Sequence, residues 1–338
     1  MSSILIIYTG GTIGMVESDD RKTLVPFDLR HILAHVPELK KLKMNLEAIS
    51  FPEPIDSSDM QPDHWTALAT IIRDHYTQYD GFVILHGSDT LAFTASALSF
   101  MLTGLSKPVI ITGSQLPIGM IRTDARENLI TAVEMAGMRQ GNEPVIQEVA
   151  VYFEYKLYRG NRTTKVSAEA FQAFDSPNYP VLAEAGVHIE VNHDKLWRSD
   201  EDFQAAVQVE RGVGHLSVFP GMMPSQVEAV LADEALRAVV LHTFGSGNAS
   251  RQSWFLRAIN AAVDRGVVVL NITQCLKGRV EQGKYETSRA LQEMGVVSGG
   301  DMTLEAALTK LMHLLAVEPD DDHLRKRLIS NIRGELTV

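Results

Sequence analysis

Cysteine, long apolar runs and basic charge are all scarce in this chain. The single cysteine, Cys275, permits no internal disulfide framework and no cysteine-based zinc site, and it suits a reducing compartment such as the cytoplasm. No stretch approaches the ~18 apolar residues that a membrane span needs. The opening apolar run, Ile4 to Tyr8, is too short for a signal-peptide core and lacks a positive flank and a small-residue cleavage site. The expectation is a protein held away from the membrane in the compartment where it is made. Positive charge is in deficit, with 31 Lys and Arg against 42 Asp and Glu giving -11. Nucleic acid and anionic membranes are therefore excluded as partners unless a local basic patch exists. The densest basic stretch, His323 to Arg327 with Arg333, follows Asp320, Asp321 and Asp322 and reads as the solvated face of a helix.

With 45% hydrophobic and 22% charged residues, the chain can build sizeable cores. Its 338 residues exceed one domain of roughly 150 residues. Ile4 to Tyr8, Phe82 to Leu85, Val109 to Thr112 and Val149 to Phe153 read as buried strands, and Trp65 to Gln78, Ala92 to Leu102 and Ala125 to Met138 as the helices between them. Such alternation predicts an α/β fold with a mainly parallel sheet, whose ligands sit at the carboxyl ends of the strands. A larger N-terminal domain over 1–190 is expected, then a polar interdomain linker over 191–213, then a smaller C-terminal α/β domain over 214–338. In that domain Leu216 to Phe219, Ala238 to His242 and Val267 to Ile272 read as strands. Pro224 to Leu231, Arg251 to Arg265, Leu304 to Ala316 and Asp320 to Asn331 read as helices.

Four polar motifs stand out. Tyr8-Thr9-Gly10-Gly11-Thr12-Ile13-Gly14 follows the first strand; its glycines permit a sharp turn that exposes the Thr12 hydroxyl, but their spacing does not fit a dinucleotide fingerprint. His86-Gly87-Ser88-Asp89-Thr90 precedes a helix and offers three candidate caps where one suffices. The surplus of hydroxyls beside a carboxylate suits nucleophilic chemistry on a substrate that carries an ammonium group. Asp56-Ser57-Ser58-Asp59-Met60 fits either an ordinary Asx or Ser turn or a carboxylate-binding loop. In Arg159-Gly160-Asn161-Arg162-Thr163-Thr164-Lys165 the cations fit a solvated loop, and Lys165 gains chemical interest only if it is buried beside a carboxylate. Gly245-Ser246-Gly247-Asn248-Ala249-Ser250 has no lysine to make it a P-loop. The eleven histidines form no H-E-x-x-H pair and no clustered ligand spacing, so a metal site would have to be assembled wholly in three dimensions.

Taken in order, T-G-G-T-I-G, D-S-S-D-M, H-G-S-D-T and N-R-T-T-K resemble the bacterial-type L-asparaginase family. The downstream segments Phe219-Pro220-Gly221, Asn271-Ile272-Thr273-Gln274-Cys275 and Gly299-Gly300-Asp301-Met302-Thr303 are similar to its cytoplasmic type I branch. The resemblance implies hydrolysis of L-asparagine to L-aspartate and ammonia. By position, Thr12 matches the attacking threonine, and Ser88, Asp89 and Lys165 match the second catalytic cluster. Asp56, Ser57 and Ser58 match the loop that holds the substrate α-carboxylate, with Ser88 and Asp89 also at the substrate and Asp89 receiving its ammonium. No metal or organic cofactor is implied; a homo-oligomer, a dimer or a dimer of dimers, is. Backbone N–H groups around Gly11 or Asp89 are the expected oxyanion donors.

Three positions depart from the family pattern. Ser88 replaces a threonine and lacks the methyl that stiffens χ1. No tyrosine lies between Tyr8 and Tyr76, where the family tends to carry one in a mobile loop; Thr23 or Leu24 stands near its place. An allosteric site known in type I enzymes would map to Thr164, His242 and Cys275, but His242 stands where an arginine is expected and cannot supply that residue's bidentate fork. Weakened or absent homotropic activation is the expectation. Alternative readings are a mixed glutaminase-asparaginase, a tRNA-dependent amidotransferase subunit, against which the length and acidic charge argue, and a catalytically inactive amino-acid sensor.

Overall fold

Ile4 to Ile7 are wholly buried because β1 (Ser3–Tyr8) lies inside an eight-stranded sheet, hydrogen-bonded on both sides. The computed structural model describes residues 1–14, 16–17, 24–25, 36–283, 286–318 and 320–337. The other parallel strands are β2 (Asn45–Ser50), β3 (Gly81–Leu85), β4 (Val109–Thr112) and β5 (Val149–Phe153), in the spatial order β2-β1-β3-β4-β5. Three antiparallel strands, β6 (Lys156–Arg159), β7 (Ala183–Ala185) and β8 (Ile189–Val191), extend the sheet beyond β5. The four continuous apolar strands match the sequence expectation. The edge strand β2 escaped it because its residues are exposed or half-buried, so no unbroken apolar run marks it.

Chain order and spatial order diverge at β1. The chain passes from β1 to β2 on one side and then crosses back to β3 on the other. In open α/β sheets the crevice outside the strand carboxyl ends at such a reversal is where ligands bind. Thr9 to Thr12 follow β1 and His86 to Asp89 follow β3, so the two motifs flank this reversal.

Helix α1 (Pro62–His75) starts earlier than the apolar pattern suggests, because Pro62 occupies the first helical turn, where no N–H is required. Helix α2 (Leu91–Met101) is buried on nearly every side, packed on β4, β5 and α1. Helix α3 (Ala125–Ala136) covers the opposite sheet face with Leu129, Ala132 and Val133 against Ile6, Val83 and Ile110.

Contacts divide the chain into Met1–Val207 and Gln208–Val338. Residues 191–207, inside the stretch expected to be a linker, are bonded to the first unit. Glu148 accepts the Trp197 N–H at 2.6 Å, and Gln204–Ala205 pairs with Leu102–Thr103. The polar composition of this stretch gives no sign of it, because the anchoring runs largely through backbone groups, with the Arg198 guanidinium added on the Val145 carbonyl at 3.1 Å.

The second unit is a four-stranded parallel sheet of β9 (Val213–Ser217), β10 (Ala238–Thr243), β11 (Val268–Thr273) and β12 (Val297–Ser298). Helices α4 (Pro224–Leu231) and α5 (Ser253–Asp264) bury Val227, Leu231, Phe255 and Ile259 on one face. After α6 (Glu286–Glu293), helices α7 (Leu304–Val317) and α8 (Asp321–Ile329) bury Leu311, Leu314, Leu324 and Leu328 on the other. Within α8, Lys326 is exposed, whereas Arg325 donates to the Gly295 carbonyl at 2.9 Å and Arg327 pairs with Glu318, so the basic stretch is a solvated face only in part. The C-terminal tail is clamped by a fully buried ion pair, Lys310 Nζ to Glu335 Oε1 at 2.5 Å.

Candidate active site

The turn after β1 is shaped by two glycines. Gly10 and Gly11 have φ of +132° and +82°, backbone that side chains rarely adopt. Close approach is a second requirement. A Cβ on Gly10 would lie 2.2 Å from the Ile55 carbonyl oxygen, and one on Gly11 would lie 2.3 Å from the Gly87 Cα. A Cβ on Gly87 would in turn lie 2.5 Å from Ser57 Oγ. Gly11 thus packs backbone on backbone against Gly87, and Gly87 against the Ser57 side chain, so that three of the four sequence motifs meet at this stack. Thr12, half-buried at the start of a short 3-10 turn, and Ser88 follow directly from the two touching glycines.

Ser57 and its neighbours divide the work of the third motif. Ser57 is buried; its Oγ accepts the Asp89 N–H at 3.3 Å and its carbonyl accepts the Thr90 hydroxyl at 2.6 Å, which locks the second motif onto the third. Asp56 is exposed, accepts both the N–H and the hydroxyl of Ser58 at 2.9 Å, and is held below its ordinary carboxylate pKa by these two bonds. The Asp56 carboxylate would repel a bound carboxylate, and what it does in this loop is fix Ser58, which is exposed. Among the backbone N–H groups around Asp89, that of Asp89 itself is engaged by Ser57.

The fourth motif reaches the second through Lys165. Its Nζ donates to Ser88 Oγ at 2.9 Å and to Asp89 Oδ1 at 2.7 Å; the lysine side chain is 18% exposed and the Asp89 side chain 62%. The condition set on Lys165 from sequence, burial beside a carboxylate, is met in part: the carboxylate is there, but the lysine is half-buried and Asp89 largely exposed. The two arginines of that motif are not the solvated loop cations that the sequence suggested. Arg159 is buried in an ion pair with Glu148 at 2.7 Å, and Arg162 is 2% exposed. Their burial anchors the segment that carries Lys165.

Ser88 Oγ also donates to Gln115 Oε1 at 3.2 Å, while Gln115 Nε2 donates to the carbonyls of Ala168 and Ala170 at 3.3 and 3.0 Å. Gln115 itself is held by its N–H to the Asp124 carboxylate, whose pKa burial raises, and Asp124 is bonded to Asn128. No sequence motif marks Gln115, although it follows the end of β4 in a position equivalent to the two motifs that follow β1 and β3. A cavity of about 980 Å³ opens beside it, lined by Leu116, Pro117, Met120, Ile121 and Phe171 among others. Thr12, Ser88, Asp89 and Lys165 do not line this cavity; Gln115 joins it to Ser88.

His86 lies beneath the cluster rather than in it. It is fully buried, and burial lowers its pKa to about 4, so it is neutral near pH 7. Its Nδ1 faces the Gly87 carbonyl at 2.7 Å, which can only accept, so Nδ1 carries the hydrogen. Nε2 therefore accepts from the Thr94 hydroxyl at 2.9 Å, and Thr94 accepts from Trp65 Nε1 at 3.0 Å. This chain braces Gly87 from below.

Of the residues assigned to a possible effector site, Thr164 lies beside Lys165 in the first unit. His242 and Cys275 both engage Thr273 in the second: His242 Nε2 faces its carbonyl at 3.0 Å, and its Oγ1 accepts the Cys275 N–H at 3.1 Å. The loop position at Thr23 or Leu24 falls outside the residues whose side chains are described. Among the described residues, no group of three or more His, Cys, Asp or Glu could hold a metal ion, and no helix is long and apolar enough to cross a membrane.

Both units match family models: "Asparaginase, N-terminal" over residues 3–197 and "Glutaminase/Asparaginase C-terminal domain" over residues 212–328. The L-asparaginase 1 of Escherichia coli is 45% identical over 337 residues, covering 99% of this chain and 98% of that protein. The crystal structure of L-asparaginase I from Vibrio cholerae superposes with a TM-score of 0.90 at 40% identity, covering 100% of this chain and 99% of that one. The thermostable L-asparaginase from Thermococcus kodakarensis gives 0.91 at 33% identity, with 99% of each chain covered.

Proposed function

The chain belongs to the asparaginase family, and we propose that Thr12, Ser88, Asp89 and Lys165 carry out its reaction, the hydrolysis of L-asparagine to L-aspartate and ammonia. The observation that supports this reading is Lys165 Nζ bonded at once to Ser88 Oγ and Asp89 Oδ1, next to the close approach of Gly11 and Gly87, the residues that precede Thr12 and Ser88.

A carboxamide resists water because its nitrogen donates into the carbonyl and leaves poorly. The proposed Thr12 hydroxyl forms a bond to the amide carbon and gives up its proton, with Lys165, through Ser88, as the relay. Charge builds on the carbonyl oxygen. With the Asp89 N–H engaged by Ser57, the turn at Gly11 is the proposed source of oxyanion donors. The C–N bond then breaks, ammonia departs with the relayed proton, and water hydrolyses the ester to release aspartate and restore Thr12. Asp89, largely exposed and negative, faces the substrate ammonium, and Ser58, ordered by Asp56, faces its carboxylate. Asparagine is the proposed preference over glutamine, which is longer by one methylene, a difference worth about 1 to 3 kcal/mol in a fitted site.

The proposed compartment is the cytoplasm, which the lone exposed Cys275 suits. A homo-oligomer is the proposed state, supported by the exposed apolar side chains of Met120, Ile121, Tyr155 and Val187. At the proposed effector position, His242 has no guanidinium fork, which favours a rate that is hyperbolic in substrate.

A timed ammonia assay on the purified chain tests these proposals together. We expect turnover of asparagine above that of glutamine, a hyperbolic dependence on asparagine, and loss of at least about 10³-fold in kcat for Thr12→Ala. A Thr12→Ala variant that kept its turnover would remove the nucleophile assignment. A sigmoidal curve flattened by Cys275→Ala would restore the effector site.

A further inference from the structure

We propose that His215 and His242 form a two-histidine site for a divalent d-block cation of the Zn2+ or Cu2+ class, in the second unit and independent of the hydrolytic cluster. His242 Nε2 lies 3.0 Å from the Thr273 carbonyl oxygen, which can only accept, so Nε2 carries the hydrogen and Nδ1 presents a lone pair. Facing that lone pair, 3.4 Å away, is Nε2 of His215. A hydrogen bond between the rings would be long against the usual ~2.9–3.0 Å for an N–H donor. The same separation is the bite of a tetrahedral cation: two imidazole nitrogens each about 2.0–2.1 Å from zinc, at an angle near 110°, stand about 3.4 Å apart.

The surroundings agree with a ligand role. A metal-bound histidine commonly donates its other ring N–H to a backbone carbonyl or carboxylate, which fixes its tautomer and orientation, and the Thr273 carbonyl does this for His242. Both residues lie on neighbouring parallel strands whose register is fixed, with His215 opposite Val240 and Ser217 opposite His242. The histidines therefore share one sheet face at a diagonal spacing, on rigid elements rather than loops. Exposure of His215 leaves the remaining coordination positions open to water. An arginine at 242 could not ligate, because its guanidinium keeps its proton.

Isothermal titration of the full-length chain, stripped with a chelator, with ZnCl2 and separately CuCl2 tests the proposal. We expect one equivalent of saturable binding that weakens by roughly tenfold or more in His215→Asn and in His242→Asn, and that persists in Cys275→Ser. The electron paramagnetic resonance spectrum of the Cu2+-loaded wild type should show coupling to two imidazole nitrogens, reduced to one in either histidine variant. Should His242→Asn unfold, the exposed His215→Asn and the wild-type spectrum decide the matter alone. Absence of saturable binding, unchanged affinity in His215→Asn, or a Cu2+ spectrum without a nitrogen pair would overturn it.

Discussion

Ser88 stands where the family pattern has a threonine, and the bonds on its hydroxyl replace what the missing methyl would contribute. Oγ accepts from Lys165 and donates to Gln115, so two partners on different segments confine χ1 in place of β-branching. Ser88→Thr is therefore expected to leave kcat within about tenfold, or roughly 1.4 kcal/mol. Complete loss of turnover in that variant, with folding intact by circular dichroism, would show that the added methyl collides with the cluster. At this scale the sequence was legible wherever a side chain's type narrows its chemistry, as with the Ser88, Asp89 and Lys165 types. It was illegible where partnership decides: Asp56 and Ser58 look equivalent to Ser57 on paper, yet one is an exposed acceptor, one an exposed hydroxyl and one a buried strut. His86 likewise sits beside the reactive types but is held neutral below them.

Elements place these residues through their ends. β1 and β3 are neighbours, so the segments that follow them emerge side by side, and the contact of Gly11 with Gly87 fixes how close they come. Gly87→Ala forces a Cβ to 2.5 Å from Ser57 Oγ and 2.8 Å from Ser57 Cβ, which must push the second motif away from the third. Because a displacement of about 1 Å can cost a hundredfold in rate, a fall in kcat of about that size is expected, larger than any change in melting temperature would suggest. An unchanged kcat would mean that the stack is not what positions the hydroxyls. The strands and helices were readable in advance where burial is continuous, as in β1, β3, β4 and β5, or where one stripe is apolar, as in α7. The half-exposed β2 and the antiparallel extension β6 to β8 were not, because short or alternating segments carry too weak a periodicity.

At the scale of the molecule, a chain of charge -11 still leaves Ile121 and Val187 at 103% and 96% exposure, with Met120 and Tyr155 also open to water. Further copies of the chain covering these side chains would remove apolar surface from water. Light scattering after gel filtration is expected to give a mass of two or four times 37.3 kDa, reduced in Ile121→Asp. A single-chain mass at micromolar concentration would count against assembly. The sequence by itself determined the class of fold, the absence of a disulfide framework and the inventory of reactive groups, since hydrophobic period, cysteine count and side-chain chemistry are local properties. Only the tertiary structure decided that Lys165 reaches Ser88 and Asp89 from 76 positions and more away, that Gln115 belongs beside them, and that two histidines 27 positions apart face each other. The physical reason is that strand order in a parallel sheet is set by how whole layers pack, and that order, not distance along the chain, determines which strand ends become neighbours.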